Sequence, residues 1–120
     1  MAKGTIKEKS YAFALQIIAL SRELSARNEF VLAKQVLKSG TSIGANVAEA
    51  SAGQSKADFI AKMSIASKEA RETEYWLSLL RDSTLIAGQL ADPLLAEAQE
   101  IRKMLTSIVN TAQENQKDRN

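Results

Sequence analysis

The side chains whose types and spacing bear most directly on chemistry are Glu69 and Glu72, three residues apart, and Asn46 and Glu49 at the same spacing one segment earlier. Carboxylates that face into a folded chain must be paired, hydrogen-bonded or bound to a cation. Di-metal carboxylate bundles draw their ligands from Glu-x-x-His pairs, and this sequence has no His. A structural network is therefore expected, with Lys62, Lys68, Arg71 and the Asn46 amide as partners, and no metal. The absence of both His and Cys also removes the imidazole base, the thiolate nucleophile, the disulfide and the His/Cys zinc or haem site. No serine stands in a Ser-x-x-Lys spacing. Gly40-x-x-x-Gly44 lacks a following Lys-Ser/Thr and falls inside a helical pattern, so it is no phosphate loop. No catalytic residue, cofactor or small-molecule substrate is expected; the sequence does not read as an enzyme.

A second constellation is basic. No acid lies between Glu29 and Glu49, while Lys34 and Lys38 stand four apart and Arg22 and Arg27 lie just upstream. Such a patch neutralises phosphates without reading bases. Arg22, Arg27, Lys34 and Lys38 are the candidate nucleic-acid contacts; the alternative is an ordinary solvated helix face. Aromatic residues interleaved for base stacking are absent there. Net charge is only +2, but it is uneven: residues 1–48 carry +4, residues 49–100 carry −4 and residues 101–120 carry +2. That distribution permits an electropositive face, and equally two charge-complementary surfaces in an oligomer.

The elements that must position these groups are helices. One Pro and five Gly in 120 residues argue against an all-β fold. Thr5-x-x-Glu8 reads as a capping box, followed by a stripe of Phe13, Ile17, Leu20 and Leu24. Asn28 is the expected N-cap of a second helix with the stripe Val36, Gly40, Ile43, Val47 and Ala50. Within it Gly40, Gly44 and Ala48 form a small-residue strip. Two mid-helix glycines cost about 1 kcal/mol each against alanine, and close approach of another helix is the offsetting gain. Ser55 with Asp58 caps a third helix, whose seam Phe59, Met63, Ala66, Ala70, Thr73, Leu77 and Leu80 runs unbroken at heptad spacing. Asp92-Pro93 reads as N-cap and first helical residue of a fourth, with Leu94, Ala98, Ile101, Leu105, Ile108 and Ala112 as its stripe. The polar stretch 113–120 is expected to fray. Four helices, at about 6–26, 29–51, 56–86 and 93–114, joined by short connections, predict one domain over 1–120. Its fold is an all-α, antiparallel up-down-up-down four-helix bundle.

Two helices carry a second stripe: Tyr11, Leu15 and Ile18, continuing into Arg22 and Ser25, and Ile65, Glu69, Glu72, Trp76 and Leu79. A wide core face is the plain explanation. A subunit interface is the sharper one, since Tyr and Trp bury area while keeping a polar handle. Gly40, Gly44, Asn46, Glu49, Glu69, Glu72 and Trp76 are the candidate packing and oligomer network. No apolar run is long enough for a membrane span, the N-terminus lacks a secretory h-region, and cytoplasm is the expected compartment.

Two stretches carry a family resemblance: Phe30–Ala50, with Lys38-Ser-Gly-Thr-Ser-Ile-Gly-Ala-Asn-Val-Ala-Glu49, and Ser55–Leu80, with Ser67-Lys-Glu-Ala-Arg-Glu-Thr-Glu-Tyr-Trp76. Together they resemble the bacterial four-helix-bundle family of 23S rRNA intervening-sequence proteins, also labelled ribosomal-protein-like. The family motif often has arginine where this chain has Lys38. The resemblance implies an all-helical cytosolic protein assembling as a ring, typically a homopentamer, with no catalytic residues to carry over. Relatives include the accessory protein of diversity-generating retroelements, a basic pentameric barrel binding reverse transcriptase and nucleic acid. The expected partners are copies of the chain itself and RNA or an RNA-associated protein; the alternative is a protein-interaction scaffold without nucleic acid.

Overall fold

The computed structural model describes residues 4–53 and 55–118; residues 1–3 of the N-terminus and 119–120 of the polar tail lie outside them. Four helices account for the fold: α1 (Ile6–Ala26), α2 (Phe30–Ser51), α3 (Lys56–Asp82) and α4 (Gly88–Asp118). Each packs on its neighbour in sequence, α4 returns to α1, and neither diagonal pair is in close backbone contact among the described residues. Short turns force consecutive helices antiparallel, which makes this the expected up-down-up-down bundle. It is elongated, 53 × 26 × 23 Å.

The stripes read from the sequence form the core. Phe13, Ile17 and Leu24 of α1, Val36, Ile43 and Val47 of α2, Ala66, Ala70, Leu77 and Leu80 of α3, and Ala98, Ile101 and Leu105 of α4 are all buried. Phe59 and Ile108, at the same end of the bundle, pack only partly buried against that core. Polar groups pin the helices to one another. The Ser21 hydroxyl donates to the Ala33 carbonyl at 3.0 Å, tying α1 to α2. Between α2 and α3 the buried Thr73 hydroxyl lies 2.8 Å from the Glu69 carbonyl and 3.0 Å from the Ser39 hydroxyl. Each hydroxyl has one proton, and both are satisfied when Thr73 donates to Glu69 and Ser39 to Thr73.

The first and third starts are as read. Thr5 Oγ1 accepts from the Glu8 N–H at 3.1 Å, and Glu8 Oε1 accepts from the Thr5 N–H at 3.0 Å. Ser55 Oγ accepts from the Asp58 N–H at 3.0 Å. The other boundaries differ from expectation. Asn28 does not cap α2: it sits at φ +64°, just past the end of α1. Its N–H donates to the Ser25 carbonyl and the Glu29 N–H to Leu24, a Schellman closure in which Asn, tolerant of the left-handed region, takes the usual place of glycine. Glu29 caps α2 by backbone alone.

The third helix ends at Asp82, not near 86, because Thr84 turns left-handed at φ +63°. That reversal sends Ile86 into the core, where it is buried. The fourth helix begins at Gly88, so Asp92 is not its N-cap and Pro93 lies inside it. Burial of Ala91 draws this segment onto the bundle, and the missing Pro93 N–H leaves only one early ladder bond unmade. At the other end α4 runs on through Asp118, past the expected end near 114, consistent with the high helix propensity of Gln113, Glu114, Gln116 and Lys117.

Candidate nucleic-acid and subunit interfaces

The glycine strip resolves as helix packing. A methyl at Gly40 would lie 2.7 Å from Ile17 Cγ2, and one at Gly44 would lie 3.3 Å from the Ser10 carbonyl oxygen. The strip thus faces α1 and lets the two backbones approach. Ala48, the third member read from the sequence, is exposed. Four residues advance an α-helix by about 400°, so each step along the strip drifts outward by about 40°.

The second stripe of α1 is not a broad core face. At 100° per residue, Tyr11, Leu15, Ile18 and Arg22 centre about 160° from the Phe13–Leu24 stripe. They point away from the bundle, with Tyr11 68% and Leu15 54% exposed. The second stripe of α3 lies about 110° from its core seam, on the α2 side to which Thr73 also points. Ile65 and Leu79 are exposed there, and Trp76 is partly buried. The Glu72 carboxylate accepts from the Trp76 indole N–H at 3.2 Å, and the indole meets the Tyr75 ring edge-on at 5.2 Å.

The acidic and amide residues do not form a closed network within one chain. The Asn46 amide donates to the Ser42 carbonyl of its own helix at 2.8 Å, and Glu49 is exposed. Among the described residues, no ion pair joins Glu69 or Glu72 to Lys62, Lys68 or Arg71. Among those residues, too, no group of three or more His, Cys, Asp or Glu side chains stands close enough to hold a metal ion.

The four basic candidates separate into two groups. Lys34 and Lys38 are exposed along the outer ridge of α2, and Arg22 is exposed on the outer face of α1. Arg27 instead donates to the Leu85 carbonyl at 2.6 Å, bracing the α3–α4 connection. Besides the Arg81–Asp92 pair of α3 and α4 at 3.3 Å, two interhelical ion-pair sites between residues further apart in sequence lay beyond sequence reasoning. Lys9 bridges Glu97 at 3.1 Å and Glu100 at 3.0 Å, and Arg102 pairs with Glu74 across α3 and α4. No local pattern announces contacts between residues so distant along the chain.

No helix among the described residues is long and apolar enough to cross a membrane. A search of curated proteins returns no match. Among solved structures the chain is similar to a Bacteroides thetaiotaomicron VPI-5482 protein, described as of unknown function and from the S23 ribosomal protein family. The two are 48% identical, the alignment covers 88% of this chain and 98% of that one, and the TM-score is 0.85. The family model described as 23S rRNA-intervening sequence protein matches residues 3–107. With the bundle, the Gly40–Gly44 packing strip and the Trp76 face in place, the chain belongs to the 23S rRNA-intervening sequence protein family.

Proposed function

We propose that this chain is a non-catalytic, self-associating helical bundle of the cytoplasm that presents its α1–α2 outer face to RNA phosphates. One observation carries the RNA reading. Lys34 and Lys38 are exposed on the α1–α2 side of the bundle, outside every ion pair among the described residues, with no acid between Glu29 and Glu49, whereas Arg22 lies on the α1 face that self-association would cover. The family's description, which ties it to 23S rRNA intervening sequences, supports RNA as the polyanion. Self-association is supported by two apolar faces of differing charge: Tyr11, Leu15 and Ile18 beside Arg22 on α1, and Ile65, Trp76 and Leu79 beside Glu69 and Glu72 on α3. A ring of copies, five by the family resemblance, would cover both.

The test is binding of 23S rRNA fragments by the wild type and by the Lys34→Gln/Lys38→Gln double variant across a salt series. The wild type should bind and weaken steeply with salt. The double variant should flatten the log–log slope by about 1.8 on a duplex, two phosphate contacts' worth. Absence of any shift at low salt overturns the reading. A second reading, a scaffold for another protein, is favoured by Phe30 and Val31, which are 61% and 74% exposed at the start of α2. Capture of a partner that survives nuclease and is lost on Val31→Glu would select it.

A further inference from the structure

The groove between α3 and α4 holds a set of side chains that the α1–α2 face does not use. Ser64, Ser67 and Arg71 of α3 meet Thr106, Val109 and Asn110 of α4 around an open depression of about 200 Å³. Five of these six residues carry hydrogen-bonding side chains, and none is acidic. Arg71 is exposed and belongs to no ion pair among the described residues. Glu74, the acid one turn along α3, is already claimed by Arg102. That carboxylate is thereby neutralised while the Arg71 fork belongs to no ion pair among the described residues. Lys68 and Lys103, both exposed, stand on the ridges either side of the groove at helical spacing from Arg71 and Thr106. The Thr106 hydroxyl donates to the Arg102 carbonyl at 3.0 Å, so the donors left for a ligand are the Arg71 guanidinium, the serine hydroxyls and the Asn110 amide.

A forked cation with hydroxyl and amide donors and no acid is the chemistry that meets a tetrahedral phosphate oxyanion. Protein contacts to nucleic-acid backbones are built from these same side-chain types. We propose that the α3–α4 groove is a second phosphate-contact site, Arg71 forking onto a phosphodiester of RNA while Ser67 and Asn110 donate to its free oxygens. The site rests on the RNA reading above and deepens it. In a bundle 26 × 23 Å in cross-section, it lies on the side opposite the α1–α2 ridge. The two faces therefore take different stretches of backbone.

The experiment titrates a short fluorescein-labelled single-stranded RNA against the wild type, Arg71→Gln, Arg71→Lys and Lys34→Gln/Lys38→Gln over a salt series. Thermal melts confirm that each variant folds, and the Arg71 Nε–H resonance is followed in parallel. Arg71→Gln should flatten the single-strand salt slope by about 0.7, one contact's worth. Arg71→Lys should restore the slope but not the full affinity, since a point charge replaces the fork. The Arg71 resonance should move with RNA. If Arg71→Gln binds as the wild type does while the α2 double variant loses slope, the groove assignment falls and the RNA reading stands. If no protein binds RNA at low salt, both fall. If inorganic phosphate moves the Arg71 resonance and RNA does not, the groove takes a free phosphate group and the phosphodiester assignment is overturned.

Discussion

A methyl group at Gly40 would meet two carbons of the fully buried Ile17, at 2.7 and 2.9 Å, and that branched side chain has nowhere to retreat. Overpacking of this kind costs about 1–3 kcal/mol, more than the ~1 kcal/mol that alanine gains in helix propensity. Gly40→Ala should therefore lower the urea midpoint. In an Ile17→Ala background the same substitution should no longer do so, a coupling that a double-mutant cycle reads directly. Gly44 faces a looser contact, 3.3 Å from a backbone oxygen, so Gly44→Ala should fall much nearer neutral; equal losses at the two positions would refute this packing account. Thr84 is the converse case. A β-branched residue at φ +63° is strained by about 1–2 kcal/mol, and Thr84→Gly should raise the melting temperature, the greater freedom of glycine in the unfolded chain trimming the gain. The need for small residues at 40 and 44 was legible because their spacing is helical. The left-handed turn at Thr84 was not, because local residue preference opposes it and only the burial of Ile86 beyond it demands it.

At the scale of elements, the seams are unequal. The first and fourth helices touch least of the neighbouring pairs, and between Gln16, Leu20 and Glu23 on one and Leu90, Pro93 and Leu94 on the other they leave a groove of about 290 Å³. Lys9 is the polar clasp across that seam. The hydrogen bonds its ammonium donates, to Glu100 first and Glu97 second, hold its pKa above the ordinary lysine value, against the opposing effect of burial. A base whose pKa is raised by folding stabilises the fold fully below its unfolded value, here 10.5, and that contribution is lost as pH rises through the folded value. Wild-type stability should therefore fall more steeply above about pH 10.5 than that of Lys9→Met. The comparison is between two proteins that differ only at position 9; parallel melting curves in that range would show that the clasp contributes nothing. The seams themselves were readable as apolar periodicity. Their unequal closeness was not, since it depends on contacts such as Lys9–Glu97 between opposite ends of the chain. The start of α4 was misread for a related reason: Asp92-Pro93 has the local chemistry of a helix start, and the burial of Ala91 overrides it.

For the whole molecule, the question is how two apolar faces on different helices would be covered by copies of one chain. If each face met its own likeness about a two-fold axis, the contact would be isologous and would bring two copies of Arg22, or two copies of Glu69 and Glu72, into one patch of like charge. A heterologous contact instead sets the α1 face, with its Arg22, against the α2–α3 face, with Glu69 and Glu72, and closes into a ring when the rotation permits. The charge asymmetry between the first and middle portions of the sequence made such complementarity legible; which helix faces carry it required the fold. The two modes separate in a mixing experiment. Leu15→Lys disables the first face and Leu79→Glu the second. In the heterologous mode each variant alone is monomeric by light scattering. An equimolar mixture forms a heterodimer and stops there, because the intact second face of one variant meets the intact first face of the other and no further face is left. In the isologous mode each variant still dimerises alone through the face it keeps, and mixing adds nothing. Trp76→Ala, which empties the centre of the second face without adding charge, should weaken assembly of the otherwise wild-type chain. A wild type that stays monomeric at micromolar concentration would remove the assembly reading altogether, and would leave Tyr11 and Leu15 as surfaces for a different partner.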